Sequence, residues 1–254
     1  MVDKEPALTK GEHATFLTYA AFLSRNKLRI AAGLSLVVGL LLVIALVQSL
    51  RRRKEARAFE AHLTAQTAKE HRSVAGKYPG TFYGSVSLVE AGNLLFEKEK
   101  YGEARKLYQQ YLRSHPTSRF RAWVYNLVGA TFEAEEKYDD AIEYYRRAEG
   151  CPLGKPGESK ERPLKRQAQL NLGRCWELKG DLESERDPQR ALEHYDTART
   201  YYRQLSTSSS PSPGSPRTVS PWERQAQSRM KFLQDKEMEA RKRELEKRVD
   251  KDKG

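Results

Sequence analysis

The longest unbroken apolar stretch, Ile30 to Leu50, reads IAAGLSLVVGLLLVIALVQSL and holds no charged residue. As a helix these 21 residues would rise about 31 Å, the thickness of a membrane's hydrocarbon core. Only a helix satisfies its own backbone there within one segment. The run is longer than the apolar part of a cleavable signal peptide, and Arg51, Arg52, Arg53 and Lys54 follow it in place of a small-residue cleavage site. An uncleaved anchor over 30–50 is therefore expected. Ahead of it, Phe16, Leu17, Ala20 and Leu23 read either as a helical stripe lying on a membrane surface or as part of a disordered tail.

Beyond the anchor the pattern repeats. Tyr101-Gly-Glu-Ala104-Arg-Lys-Leu-Tyr108 aligns with Tyr138-Asp-Asp-Ala141-Ile-Glu-Tyr-Tyr145, a shift of 37 residues from Ala104 to Ala141. Under that shift Gly92 falls on Gly129, Leu95 on Phe132 and Pro79 on Pro116. A looser third copy contains Gly173, Trp176, Ala191, Tyr195 and Ala198. It has 18 residues from Gly173 to Ala191, where the first copy has 12 from Gly92 to Ala104. The extra six predict a longer turn within Lys179–Gln189. Small residues let two helices approach, and a tyrosine four residues after each alanine fills the space beside it. Each unit predicts a helix–turn–helix hairpin that must stack on a neighbour to bury its apolar face. Residues 55–79 predict the second helix of an incomplete repeat, continuous with the anchor.

These positions resemble the tetratricopeptide repeat, closely over 84–153 and loosely over 166–200. The resemblance implies an all-α fold: an N-terminal transmembrane helix, a short α-solenoid and a C-terminal helical tail. The implied division is a tail over 1–29, the anchor over 30–50, repeats over 51–205, a Ser/Pro-rich linker over 206–221 and a charged helix over 222–254. A short tail, one anchor and a small repeat domain together resemble the ancillary subunit of the bacterial Sec translocon. That likeness implies a single-pass protein of the bacterial inner membrane. Its repeats would face the periplasm, with the translocon or a periplasmic chaperone as partner. The flanking charges lean the other way. Arg25, Lys27 and Arg29 precede the anchor, whereas five basic residues follow it by Arg57, which favours a cytoplasmic C-terminal part.

The chain has 46 Lys+Arg and 34 Asp+Glu, a net charge of +12, and 38% hydrophobic residues, part of them in the anchor. That excludes one large buried core and favours a slim domain with polar extensions. Residues 222–254 carry 11 basic and 8 acidic side chains, too balanced for a phosphate-binding surface, so no nucleic-acid partner is expected. Within them Trp222, Ala226, Met230 and Leu233 form a stripe suited to capping the stack, and beyond Lys236 a solvated helix is expected. Two cysteines, Cys151 and Cys175, allow one disulfide. No His/Cys spacing fits a metal, and no phosphate loop or activated nucleophile is evident. Neither a catalytic site, a cofactor nor a small-molecule substrate is expected.

By the register of the family, the first helix of each hairpin lines the concave groove. Its positions are Val86, Val89, Asn93, Phe96 and Glu97; then Trp123, Asn126, Ala130, Glu133 and Ala134; then Gln167, Leu170, Arg174, Glu177 and Leu178. The peptide-binding set is Asn93, Phe96, Glu97, Trp123, Asn126, Arg174 and Glu177. Trp123 is either an aromatic anchor for a partner or packed against the incomplete first repeat. Asn93, Asn126 and Arg174 suit the backbone or carboxylate of an extended peptide.

Overall fold

The computed structural model describes residues 10–152, 162–207 and 220–253, with the side chains of 25–29, 31–152, 163–207 and 220–251. The described residues are all-α and fall into two compact units, Met1–Ala58 and Phe59–Gly254.

The described structure of the first unit is residues 10–58 of helix α1 (Lys10–Thr64), whose last residues, 59–64, belong to the second unit. Leu36, Leu40, Leu42 and Leu46 on it are more than half exposed, a pattern that suits lipid rather than water. By length and composition this helix can cross a membrane. The expected surface stripe of Phe16, Leu17, Ala20 and Leu23 lies outside the described side chains.

The second unit is a run of hairpins. Helix α2 (Ala68–Lys77) is followed by α3 (Phe82–Glu97), α4 (Tyr101–Ser114), α5 (Arg121–Ala134) and α6 (Tyr138–Glu149). Then come α7 (Arg162–Glu183), α8 (Pro188–Thr207) and α9 (Pro221–Lys253). From α2 onward each helix packs on the next, and α7 also meets α5 and α9. This is a short α-solenoid with a last helix packed on α8 and α7 at its end.

The expected single helix over 55–79 is corrected: α1 ends at Thr64 and α2 restarts at Ala68. A capping box explains the restart. Glu70 N–H donates to Thr67 Oγ1, while the Glu70 carboxylate accepts from the backbone of Gln66 and Thr67. The first two hairpin turns are copies of each other. Glu99 and Glu136 both take positive φ, 58° and 59°. Lys100 N–H then bonds to Leu95 C=O and Lys137 N–H to Phe132 C=O, each at 2.9 Å, closing both helix ends in the same way.

Inside each hairpin a tyrosine ring covers a glycine. A Cβ on Gly92 would lie 2.4 Å from the Tyr108 ring, and one on Gly129 2.6 Å from that of Tyr145. The third hairpin departs from the expectation of a longer turn. There Tyr195 covers Gly180, and Tyr202 covers Gly173. Seven residues separate both the glycines and the tyrosines, so the insertion adds two turns to both helices. The turn itself stays short, with Asp187 capping α8 through Arg190 N–H and Pro188 opening it. Phe132 and Trp176 each pack against two adjoining core clusters, which makes the interior continuous from α3 to α9.

Helix α9 caps the stack as its stripe predicts: Ala226 and Leu233 are buried against Tyr195, Tyr202 and Leu205. The packing runs further than expected. Beyond Lys236, Glu237 and Ala240 are buried. Arg243 donates to Ser184 Oγ, and Lys247 to the carbonyls of Glu185 and Arg186.

The glycines give a direct test. Gly129→Ala forces a methyl into the Tyr145 ring and should lower stability by ~1–2 kcal/mol, because overpacking outweighs the gain in helix propensity. A Cβ on Gly76 in α2 would have nothing within 4 Å of it, so Gly76→Ala should raise stability by ~0.5–1 kcal/mol. Urea denaturation measures both. Equal effects of the same sign would refute the ring contact as the constraint on hairpin spacing.

Candidate protein-binding face

The glycine–tyrosine contacts also place the polar groups of the first helices. Each covering tyrosine donates its hydroxyl to an acceptor on the helix it covers. Tyr108 donates to Asn93 Oδ1 at 2.8 Å, and Tyr145 to Glu133 Oε2 at 2.7 Å. Tyr202 donates to Glu177 Oε2 at 2.8 Å, and Tyr195 to Asp181 Oδ1 at 2.9 Å. Burial foremost, and the nearby carboxylates after it, push all four phenols above their ordinary range. They therefore stay protonated and act as donors.

The acceptors are tied in turn by the next helix in the stack. Arg174 of α7 grips Glu133 of α5 with Nε at 2.6 Å and Nη2 at 2.8 Å, a bidentate pair. Burial opposes the charge on Arg174, but its bonds to Glu133 outweigh that and raise its pKa. Lys236 of α9 donates to Glu177 at 2.8 Å and to Asp181 at 2.6 Å. Its pKa is likewise raised, burial opposing and the two carboxylates prevailing. Arg229 adds a contact at 3.5 Å to Glu177, which is only 2% exposed.

The groove positions expected from the sequence thus divide. Val89 and Leu170 are core residues, which corrects their placement in the groove. Asn126 is buried; it donates to the carbonyls of Ala122 and Leu164 and accepts from Asn171 at 3.4 Å. Arg174 and Glu177 join neighbouring helices. Asn93, Phe96 and Trp123 remain partly exposed, and Glu97 is exposed. Asn93 donates to Glu90 at 3.0 Å. Glu90 and Glu97 both act on the Tyr108 phenol, and neither has an ion-pair partner among the described residues. Phe96 and Trp123 lean on the same core cluster. They stand near opposite ends of their helices, Phe96 next to last in α3 and Trp123 third in α5, so the four form an extended face rather than one pocket.

Sequence reasoning missed Lys236, Arg229 and Asp181. The glycine–tyrosine pairing was the available signal, because it predicts which first-helix position each hydroxyl reaches. As for chemistry, Cys175 is buried, and burial foremost pushes its thiol well above the ordinary range. It is not bonded to Cys151. Among the described residues no three His, Cys, Asp or Glu side chains are grouped to hold a metal.

A double-mutant cycle on Glu177→Gln and Lys236→Met tests the closure. Lys236→Met alone should cost ~2–4 kcal/mol by leaving a buried carboxylate short of its cation. Adding Glu177→Gln should recover at least ~1 kcal/mol of the summed loss. Strict additivity would mean that α9 is not held through this pair.

The tetratricopeptide repeat family model matches residues 83–150, which comprise most of the first two complete hairpins. No curated protein matches the chain. Over 83–150 the chain thus carries repeats similar to the tetratricopeptide repeat, a helical unit that in other proteins typically serves protein–protein contact.

Proposed function

We propose that this chain is a non-catalytic adaptor of the bacterial inner membrane. Residues 30–50 anchor it as a single-pass helix, and residues 51–205 hold other proteins in the periplasm during export or envelope assembly. The Ser/Pro-rich linker over 206–221 joins the repeats to their cap. The observation that carries this reading is one chain combining an uncharged 21-residue helix segment with a tetratricopeptide match over 83–150. The resemblance to the ancillary subunit of the Sec translocon supports the export setting and makes the translocon or a periplasmic chaperone the partner to look for. The open set Asn93, Phe96, Glu97 and Trp123 is the surface offered to that partner; Asn126, Arg174 and Glu177 act behind it.

A second reading is favoured by one observation, the basic run Arg51, Arg52, Arg53 and Lys54. Basic residues concentrate on the cytoplasmic side of a span and meet anionic lipid there. On that reading the repeats recruit soluble cytoplasmic proteins to the membrane.

Two measurements separate the outcomes. In spheroplasts, a C-terminal tag should be digested by external protease. Protection until the membrane is broken would overturn the periplasmic reading and favour the cytoplasmic one. Cross-linked partners recovered with the chain should fall at least threefold in Trp123→Ala, since truncating an aromatic anchor costs ~1–2 kcal/mol or more. Full recovery with a well-folded variant would remove Trp123 from the binding face.

A further inference from the structure

At the junction between the first two complete hairpins and the third lies a cavity of about 400 Å³. Arg119, Arg121 and Lys165 line it, and among the described residues no Asp or Glu does. The Arg119 guanidinium is exposed and stacks 4.8 Å over the Phe120 ring. Arg121 donates from Nη2 to the Tyr125 hydroxyl at 2.9 Å, while its buried Nε has no hydrogen-bond partner among the described residues. Lys165 is half-buried. Among the described residues none of the three has an ion-pair partner. Three cations on a part-apolar cavity repel one another where no described lining residue is acidic, and a buried guanidinium N–H without an acceptor among the described residues is costly.

Three Lys or Arg side chains line this cavity, whereas among the described residues Arg72 alone of those types lines the cavity at the preceding junction, beside His115. The preceding junction has a matching cavity of about 390 Å³, in which Pro79 and Gly84 stand where Pro116 and Arg121 stand one repeat later. A Cβ on Gly84 would lie 2.3 Å from the Tyr78 carbonyl oxygen, so no side chain fits there. At the next junction the equivalent positions of two consecutive first helices, eight residues before Gly129 and before Gly173, carry Arg121 and Lys165. Helix α5 also begins here without a side-chain cap, and its N-terminal partial charge adds to the positive field. The remaining walls include Pro116, Ala122, Ala148 and Pro152. They are apolar, and the volume lies within the range of small-ligand sites.

The geometry points to a binding site for a small organic anion, a phosphate or carboxylate head carried on a short apolar body. The head is held by Arg121 and Lys165, with Arg119 at the rim. Arg121 binds it through the part of its guanidinium that lines the cavity, in the manner of guanidinium–oxyanion pairs.

Isothermal titration of the full chain in detergent with phenyl phosphate, inorganic phosphate and succinate tests the assignment. One saturable site per chain is expected, at least tenfold weaker in Lys165→Gln and in Arg121→Gln, the scale of losing a hydrogen bond to a charged group. Lys69→Gln, on the exposed face of α2, should bind as the parent does. Lys165 bonds to no described residue, so its variant keeps the fold even if Arg121→Gln disturbs Tyr125. Binding of the phosphates alone assigns a phosphoryl head, and binding of succinate alone assigns a carboxylate. Binding of both assigns a general oxyanion site. No saturable binding of any probe, or binding unchanged in Lys165→Gln, overturns the proposal.

Discussion

A tyrosine ring pressed onto a glycine sets the spacing of every complete hairpin here. No side chain larger than hydrogen fits beneath the rings of Tyr108, Tyr145, Tyr195 and Tyr202, since a Cβ would fall within 2.6 Å of each. The contact does two things at once. It lets the two helices of a hairpin approach closely, and it carries a hydroxyl through the core to the far side of the first helix. Because burial keeps the phenols protonated, each hydroxyl must find an acceptor. The packing rule of the core thereby dictates a row of polar residues on the first helices: Asn93, Glu133, Glu177 and Asp181.

That row explains why the stack needs its last helix. An acidic acceptor that is mostly buried needs a cation, and in a repeat array the cation comes from the next first helix along. Glu133 takes Arg174 from α7. Glu177 and Asp181 sit on the last hairpin and have no further repeat to draw on, so α9 supplies Lys236 and Arg229. The cap is thus electrostatic as well as apolar. Its burial of Ala226, Leu233 and Ala240 would not by itself satisfy the carboxylates beneath it.

Much of this fold was legible in the sequence. The 37-residue shift predicts α3 to α6, and even the two matching turns, because local capping and the Gly, Ala and Tyr positions act within a single repeat. The third hairpin was legible only in outline. Eighteen residues between Gly173 and Ala191 say that something is inserted but not where, and the answer depends on which tyrosine meets which glycine across two helices. The break at 65–67 could be read only from the Thr67–Glu70 box, which the expectation of a continuous helix overrode. The binding face was least legible. Periodicity assigns a residue to a helix face, but whether Asn126 or Glu177 is open depends on partners 45 and 59 residues away, Asn171 and Lys236.

Those distant partners also bear on recognition. A protein ligand that engaged Arg174 or Glu177 would first have to part a buried, hydrogen-bonded ion pair, at a cost of roughly 3–5 kcal/mol if the remaining charge stayed unpaired. Engaging Asn93 or Glu97 requires no such rupture, because Glu90 and Glu97 have no ion-pair partner among the described residues. Trp123 and Phe96 need only give up water from surfaces already partly exposed. The array is therefore graded along its length: the same tyrosine-to-acceptor geometry that serves cohesion at the capped end leaves unmet hydrogen-bonding and charge capacity at the first hairpin. A partner bearing basic and apolar groups would gain most there, and least where the chain has already supplied its own lysine and arginine.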